Sequence, residues 1–180
     1  QHAADNVLKS MRRGITRRTT ENLISTIRKS VPDIALRTTL IVGYPNETEA
    51  DIEELVQFIK DVKFDRLGVF TYSQEDDTTA YGLGDPIPEE EKERRKEYVM
   101  EVQRAISLEK NESRIGSKAR AVIERVEDGN LVGRTEWDAP EIDNEVFISN
   151  VKGVRPGDFV TIKITDATEY DLYGEIISTN

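Results

Sequence analysis

The sequence predicts an α/β region followed by a small all-β domain, with the boundary near residue 113. Two observations support this division. Residues 36–73 carry the pattern strand–loop–helix–strand, which is the βαβ unit of a parallel sheet. Beyond Gly116 the period of the apolar residues becomes two, most clearly where Val160, Ile162 and Ile164 alternate with polar residues. We therefore predict two domains, at residues 1–113 and 114–180.

Two helices are expected before the first strand. Asp5 and Thr20 are suitable N-caps, and Pro32 ends the second helix, which gives helices at about Asp5–Arg13 and Thr20–Val31. Helical spacing assigns the second helix an apolar face that we expect to be buried, formed by Leu23, Ile24, Ile27 and Val31.

The βαβ unit contains the first candidate site. An apolar, β-branched run over Ala35–Val42 is broken at Gly43, and a second run follows at Arg66–Tyr72. Thr48 is a candidate cap for the intervening helix, with Asp51 completing a capping box. Because α/β folds carry their chemistry at the carboxyl ends of parallel strands, we expect a site at the segments 43–47 and 71–78.

A long polar connection and a long helix complete the first region. Residues 73–88 are rich in Gly and Pro and are longer than an ordinary connection, which favours a functional or mobile segment. Pro88 and three following glutamates suit the start of a helix, predicted over Glu89–Ser113. Its predicted inner stripe consists of Tyr98, Val102, Ala105 and Ile106.

The second domain is predicted to be a small five-stranded antiparallel barrel of OB-like size. Strands are expected at about 117–127, 131–136, 145–149, around 160–165 and 172–178. Turn signals separate them at Asp128-Gly129-Asn130 and Arg155-Pro156-Gly157-Asp158.

Composition narrows the possible functions. The chain has no cysteine, so it has no disulfide and cannot ligate an iron–sulfur cluster by itself, and no spaced set of ligands suggests another metal. No apolar run approaches membrane-spanning length, and we expect a soluble, cytoplasmic protein without a membrane partner. The chain begins at Gln1, on what reads as a strand end, so we expect a fragment or the ordered part of a longer protein.

Several motifs together resemble the radical S-adenosylmethionine methylthiotransferases. The resemblance covers essentially the whole chain and is carried by Gln1-His2-Ala3, Val7-Leu8-Lys9, Ile41-Val42-Gly43-Tyr44-Pro45-Asn46-Glu47-Thr48-Glu49, Phe64-Asp65-Arg66, Val69-Phe70, Tyr72-Ser73 and Lys92-x-x-Arg95. Asn46 and Asp77 stand where the family usually has glycine, and both residue types tolerate a left-handed backbone. The resemblance implies the second part of a partial TIM-like radical S-adenosylmethionine barrel, followed by a TRAM domain.

The same resemblance implies the cofactors and the residues that contact them. The expected cofactors are S-adenosylmethionine and [4Fe–4S] clusters ligated by cysteines outside this chain. The cofactor wall is expected at Gln1, His2, Arg37, Thr39, Val42, Gly43, Thr71 and Tyr72. Arg37 is a candidate for the methionine carboxylate, because its planar guanidinium can bind a carboxylate through two hydrogen bonds. No catalytic residue and no metal ligand is assigned within the chain.

A second motif is similar to the RimO-type branch of the family, which methylthiolates the β-carbon of an aspartate in a small-subunit ribosomal protein. The similarity lies in Asp138-Ala139-Pro140-Glu141-Ile142-Asp143 and Glu169-Tyr170-Asp171-Leu172. It implies substrate docking at Trp137, Asp138, Glu141 and Asp143. The alternative, without a role in docking, is an exposed acidic hairpin with a packed tryptophan.

Charge favours a protein substrate over RNA. Residues 117–180 contain 13 acidic and 7 basic side chains, a balance that repels phosphates and attracts a basic ribosomal protein. A basic cluster near the N-terminus, Lys9, Arg12, Arg13, Arg17 and Arg18, instead fits the sister enzymes that modify tRNA adenosine. A cysteine-free binding module without catalysis is the third possibility. The sequence does not predict the oligomeric state.

Overall fold

The computed structural model describes residues 1–149 and 153–179, which form two compact units at Gln1–Gln103 and Arg104–Asn180. The boundary lies within the fourth helix, upstream of the predicted position. In chain order the elements are α1 (Asp5–Ser10), α2 (Arg17–Ser30), β1 (Arg37–Val42), α3 (Glu49–Val62), β2 (Arg66–Thr71), α4 (Glu89–Glu112), β3 (Lys118–Glu127), β4 (Asn130–Thr135), β5 (Val146–Ser149), β6 (Phe159–Ala167) and β7 (Leu172–Thr179). A 3₁₀ turn at Tyr81–Leu83 interrupts the long connection between β2 and α4.

The βαβ unit has the predicted architecture. Strands β1 and β2 pair in parallel, with Leu40 beside Val69, and α3 is the crossover helix. The capping box is present: the Thr48 hydroxyl accepts from the Asp51 amide, and the Asp51 carboxylate accepts from the Thr48 amide at 2.8 Å. The apolar stripe of α3 is entirely buried, together with Phe58. Its members are Ile52, Leu55, Val56, Ile59 and Val62.

The prediction for α2 is wrong in its cap and in its buried face. Thr16, not Thr20, caps the helix, and Leu23 is 58% exposed. Val31 is also exposed, whereas Ile24 and Ile27 are half-buried. Polar contacts join α2 to α3 instead: the Arg28 guanidinium donates to the carbonyls of Val62 and Lys63 at 2.6 and 2.9 Å. These bonds satisfy carbonyls that the end of α3 leaves without helical partners.

The inner face of α4 also differs from the prediction. Ala105 is exposed, Tyr98 and Val102 are only half-buried, and Ile106 alone of the predicted stripe is buried. The buried positions within the first unit are instead Lys92, Arg95, Val99 and Gln103. Their spacing of three and four residues is that of a single helical face. Three of these four residues are polar, so a hydrophobicity pattern assigns that face to solvent.

The second unit is a closed five-stranded barrel in the order β3-β4-β5-β7-β6, and the five strands lie where the alternation predicts them. The predicted antiparallel arrangement is wrong at one junction, because β5 and β7 pair in parallel. Turn signals identify hairpins, but they do not reveal which distant strands meet when a barrel closes. The core consists of alternate residues from every strand: Ala119, Ala121, Ile123, Leu131, Val146, Ile148, Val160, Ile162, Ile164 and Leu172.

Within residues 1–149 and 153–179, none of the helices combines the length and the apolar character that spanning a membrane requires.

Candidate functional site

Three of the predicted segments meet at the carboxyl end of the parallel sheet. Val42 pairs with Thr71, and the Tyr72 amide donates to the Val42 carbonyl at 2.8 Å. On the other side of β1, the Ile41 amide donates to the Gln1 carbonyl at 2.8 Å. The structure therefore brings together the segments 1–2, 42–43 and 71–72, as expected for one wall of a site.

Arg37 does not join this group. It lies at the amino end of β1, about 16 Å from Val42 along an extended strand. Parallel pairing places it beside Arg66, the first residue of β2. Arg37 and Thr39 are exposed and share one face of the sheet, opposite the face that buries Leu40 and Val42. Thr39 alone of these two lies close enough to the strand ends to contribute to the same wall.

The side chains of several predicted residues are committed to internal contacts. The His2 ring has no exposed surface, and its Nδ1 accepts from the Ala4 amide at 3.0 Å, so Nε2 carries the ring proton. Tyr72 packs edge-on against Tyr44, with ring centroids 5.2 Å apart, and Val42 is fully buried. His2, Val42 and Tyr72 can therefore face a cofactor only through main-chain groups.

Glu47 connects these segments, although no role was predicted for it. Its side chain is fully buried, and Oε1 accepts from the Gly43 amide and from Arg95 Nη1, both at 2.8 Å. The second oxygen, Oε2, faces His2 Nε2 at 3.4 Å. Burial alone raises the pKa of Glu47, but the nearby His2 ring and the hydrogen bonds from Gly43 and Arg95 outweigh it and hold the pKa below its ordinary value. Glu47 is thus a charged anchor for the turn after β1.

Lys92 makes the corresponding connection at β2. Its side chain is 3% exposed, and Nζ donates to the Tyr72 carbonyl at 3.0 Å and to Asp85 at 2.6 Å. Glu89 accepts a third bond at 3.2 Å. Burial lowers the pKa of Lys92, but the two carboxylates outweigh this effect and raise the pKa above its ordinary value. The ammonium therefore remains charged inside the unit.

Glu47, Lys92 and Arg95 hold the segments of the candidate site together, and sequence reasoning assigns them no role in it. The sequence identifies them only as matches to family motifs. Two signals could have identified them. Glu47 follows the turn glycine by one helical turn, and Lys92 and Arg95 share a helical face with the apolar residue Val99.

The open face of the sheet presents an aromatic ring beside accessible main chain. Phe70 is 65% exposed, and Ile41 and Thr39 lie beside it on the same face. A Cβ built on Gly68, which pairs with Thr39, would meet no atom within 4 Å. An exposed ring next to accessible main chain can receive a flat heterocycle by stacking and hydrogen bonding. The described residues contain no group of three or more His, Asp or Glu side chains that could hold a metal, and the chain has no cysteine for a cluster.

The predicted docking residues of the second unit fall into two groups. Asp138 is buried, and the Thr135 hydroxyl donates to its carboxylate at 2.5 Å, so its charge is not displayed for docking. The Trp137 ring packs on the barrel core and lies 3.9 Å from the Arg114 guanidinium. Glu141, by contrast, is exposed.

Glu141 and Asp143 line a polar groove of about 380 Å³ on the barrel. Its walls include two arginines that are already paired, Arg125 with Glu145 and Arg134 with Glu124. Asp143 accepts from the Ala139 amide at 2.8 Å and thereby shapes the loop that forms the rim. With its arginines neutralised, the groove presents negative charge to a partner. The remaining lining residues are Ala139, Pro140 and Asn144.

Comparison with known proteins first defines the class of the second unit. Residues 115–177 match the model of the TRAM domain family. This match covers almost the whole barrel, and the C-terminal unit is a TRAM domain, as the sequence predicted.

The curated relatives then define the chain as a whole. Proteins named ribosomal protein uS12 methylthiotransferase RimO are 52% identical to it in Cytophaga hutchinsonii, over 98% of this chain and 41% of the relative. The corresponding values are 51%, 97% and 41% in Flavobacterium psychrophilum, and 51%, 98% and 42% in Chloroherpeton thalassium. The chain corresponds to the C-terminal portion of these RimO methylthiotransferases. It spans about two-fifths of the length of these relatives.

Proposed function

We propose that the protein acts as the C-terminal portion of a radical S-adenosylmethionine enzyme that adds a methylthio group to the β-carbon of an aspartate in ribosomal protein uS12. The main support for this proposal is sequence identity: about half of all residues, across both structural units, are identical to those of relatives with this name. Because the substrate is a ribosomal protein, we place the enzyme in the cytoplasm.

The first unit would supply part of the cofactor wall. Thr39, Gly68 and Phe70 on the open face would receive S-adenosylmethionine, while Glu47 and Lys92 hold the adjoining strand ends in place. The bound cofactor, together with a [4Fe–4S] cluster, supplies the radical chemistry of this enzyme class. Since the chain has no cysteine, the cluster ligands would lie outside it, and the chain alone would be inactive.

The second unit would dock the substrate protein. Its acidic excess, 13 carboxylates against 7 basic side chains over residues 117–180, attracts a basic polypeptide and accelerates encounter more than it raises affinity. The groove lined by Glu141 and Asp143 would receive a basic side chain of uS12. Asp138 and Trp137 would shape this region from within and not contact the substrate with an exposed charge.

RNA binding is the second candidate, and one surface favours it. The outer face of β3 and β6 places Lys118 beside Lys163 and Arg120 beside Thr161. The Arg120 guanidinium lies 4.5 Å from the ring centroid of Phe159, which is 46% exposed. An aromatic ring among cations is a common platform for a stacked base. The acidic balance of the whole barrel opposes this alternative.

Titration of the full-length protein with uS12 and with tRNA separates the two candidates. We expect uS12 to bind and tRNA to bind only weakly. The Glu141→Lys variant should slow association with uS12 by about fivefold, since charges at the rim of an interface act chiefly on the association rate. Glu112→Lys, an exposed carboxylate outside the groove, is the matched control. Tight tRNA binding that weakens steeply with salt, combined with no uS12 binding, would reverse the proposal.

A further inference from the structure

Residues 73–88 form a compact loop between β2 and α4. The loop is held by its own contacts: Gln74 Nε2 donates to the Tyr81 carbonyl at 2.8 Å, and the Thr78 hydroxyl donates to the Glu75 carbonyl at 2.8 Å. A loop of this length with internal side-chain contacts is an Ω-loop if its ends are close together, and such loops are frequently functional. It begins at the strand end where the candidate site lies.

One ammonium group joins the two ends of this loop. Lys92 Nζ contacts the Tyr72 carbonyl, directly before the loop, and the Asp85 carboxylate near its end, at 3.0 and 2.6 Å. We call these three residues the loop neck. Because Lys92 is 3% exposed, water competes little for its bond to the Tyr72 carbonyl, whereas the Asp85 carboxylate is 30% exposed and forms the more open side of the neck.

The same lysine also shapes the turn after β1. Gly43 has φ +75°, and a Cβ at this position would lie 2.5 Å from Lys92 Cγ. The lysine stem therefore rests directly on the glycine, while its ammonium binds the end of β2. A single side chain sets the distance between the two strand ends and closes the loop that follows the second.

We propose that Lys92 is a positioning residue for S-adenosylmethionine, which acts by closing the loop neck and holding the ends of β1 and β2 at the spacing the cofactor requires. The inference rests on the proposed function. Lys92 itself does not touch the open face of the sheet; it acts through Tyr72, Asp85 and Gly43.

Asp85 offers the cleanest test, because its substitution weakens the neck and leaves the lysine stem on Gly43. In Asp85→Asn the ammonium keeps a neutral amide oxygen as acceptor but loses its shortest carboxylate contact. The remaining carboxylate contact, to Glu89, is longer at 3.2 Å, and the Glu89 side chain is 67% exposed. Lys92→Met is the stronger variant, since it keeps an unbranched stem but removes both neck bonds. Glu90→Gln, an exposed carboxylate on the same turn of α4, is the control.

The experiment uses the full-length protein with its clusters reconstituted. For Asp85→Asn we expect amide hydrogen exchange over residues 73–88 to accelerate about fivefold and the Kd for S-adenosylmethionine to rise about fivefold, the effect of replacing a charge-assisted hydrogen bond by a neutral one. The KM for S-adenosylmethionine should rise with it, while the KM for uS12 and the thermal midpoint of the barrel stay unchanged. Glu90→Gln should behave as the unmodified protein does.

Each other outcome counts against the inference. Faster exchange in the loop with unchanged cofactor affinity would show that the loop neck has no part in binding. Unchanged exchange would show that Lys92 does not hold the loop. If Lys92→Met fails to fold, Asp85→Asn still decides between these results. If the unmodified protein does not bind S-adenosylmethionine at all, the proposed function fails, and this inference fails with it.

Discussion

Replacing Glu47 by glutamine should destabilise the first unit without affecting the second. The carboxylate is fully buried and serves three partners: the Gly43 amide, Arg95 and His2. Glutamine retains one of the two oxygen acceptors. Its NH₂ group takes the place of the other oxygen and therefore faces a hydrogen-bond donor of one of these partners. The Arg95 guanidinium, only 9% exposed, would lose its buried counter-charge.

The size of the effect follows from this burial. Breaking a buried ion pair by removing one partner costs about 3–5 kcal/mol, because the remaining charge is left in a low-dielectric environment. Arg95 keeps its bond to Glu91 at 2.7 Å, so we expect the lower end, about 3 kcal/mol. That is a large part of the stability of about 5–15 kcal/mol that is typical of a small domain.

The assay can follow the two units separately. Trp137 is the only tryptophan of the chain, and it belongs to the barrel. Its fluorescence reports unfolding of the second unit, whereas far-UV circular dichroism is dominated by helices, of which α1, α2 and α3 lie in the first. In urea, Glu47→Gln should lower the midpoint of the dichroism transition and leave the fluorescence transition in place.

Two results would refute this reasoning. A dichroism transition within about 0.5 kcal/mol of the unmodified chain, the range of an ordinary surface substitution, would show that Glu47 is not a structural anchor. Equal shifts of both transitions would show that the two units do not unfold separately. Glu53→Gln, an exposed carboxylate on α3, provides the baseline for a carboxylate-to-amide change.

Three further predictions concern pH and glycine. The depressed pKa of Glu47 means that its contribution to stability is complete above its ordinary value of 4.5 and is lost as the pH falls through the lower folded value. Urea titrations at pH 7 and pH 4 should therefore show a smaller loss of stability on acidification for Glu47→Gln than for the unmodified chain, and equal losses would contradict this assignment. Gly43→Ala should cost about 3 kcal/mol in the dichroism transition, from a left-handed backbone and a collision with Lys92. Gly129→Ala, at φ +80° in a turn with open space around it, should cost only about 1 kcal/mol in the fluorescence transition, and similar costs at both sites would exclude the collision. Gly133→Ala should unfold the barrel alone, seen as loss of the fluorescence transition, because its Cβ would collide with a backbone carbonyl of β3; a retained transition would contradict it.

The elements that sequence reasoning predicted well are those whose signal is local. The Thr48 capping box depends on residues three positions apart, and the barrel strands depend on strict alternation. The parallel pairing of β5 with β7 depends on how distant strands meet, and the local pattern does not contain that information. The mistaken face of α2 has a related cause, since Arg17 and Arg28 join it to α3 through polar contacts.

The sequence predicts which segments of the chain meet at the candidate site, but not which of their side chains face it. The strand ends at Val42 and Thr71 meet as the βαβ pattern requires. The resemblance named residues along the chain, but whether each side chain faces the site depends on strand direction and on which face is covered. Arg37 lies at the amino end of β1, away from the candidate site. The Nδ1 atom of His2 already accepts a hydrogen bond from the Ala4 amide.

The polar interior of the first unit explains why its most informative side chains were overlooked. A pattern method assigns charged residues to solvent, because burying a charge is costly unless it is paired. Lys92 and Arg95 are buried and paired with Asp85 and Glu47, which come from other parts of the chain. Hydrophobic packing alone would join these elements at a lower free-energy cost, because no charge would have to be buried. Charged pairs join them with directional bonds instead, and these bonds end on the backbone atoms of Gly43 and Tyr72, the two strand ends of the candidate site. The buried charged residues that a hydrophobicity pattern misses on α4 are therefore among those that hold the two strand ends of the candidate site.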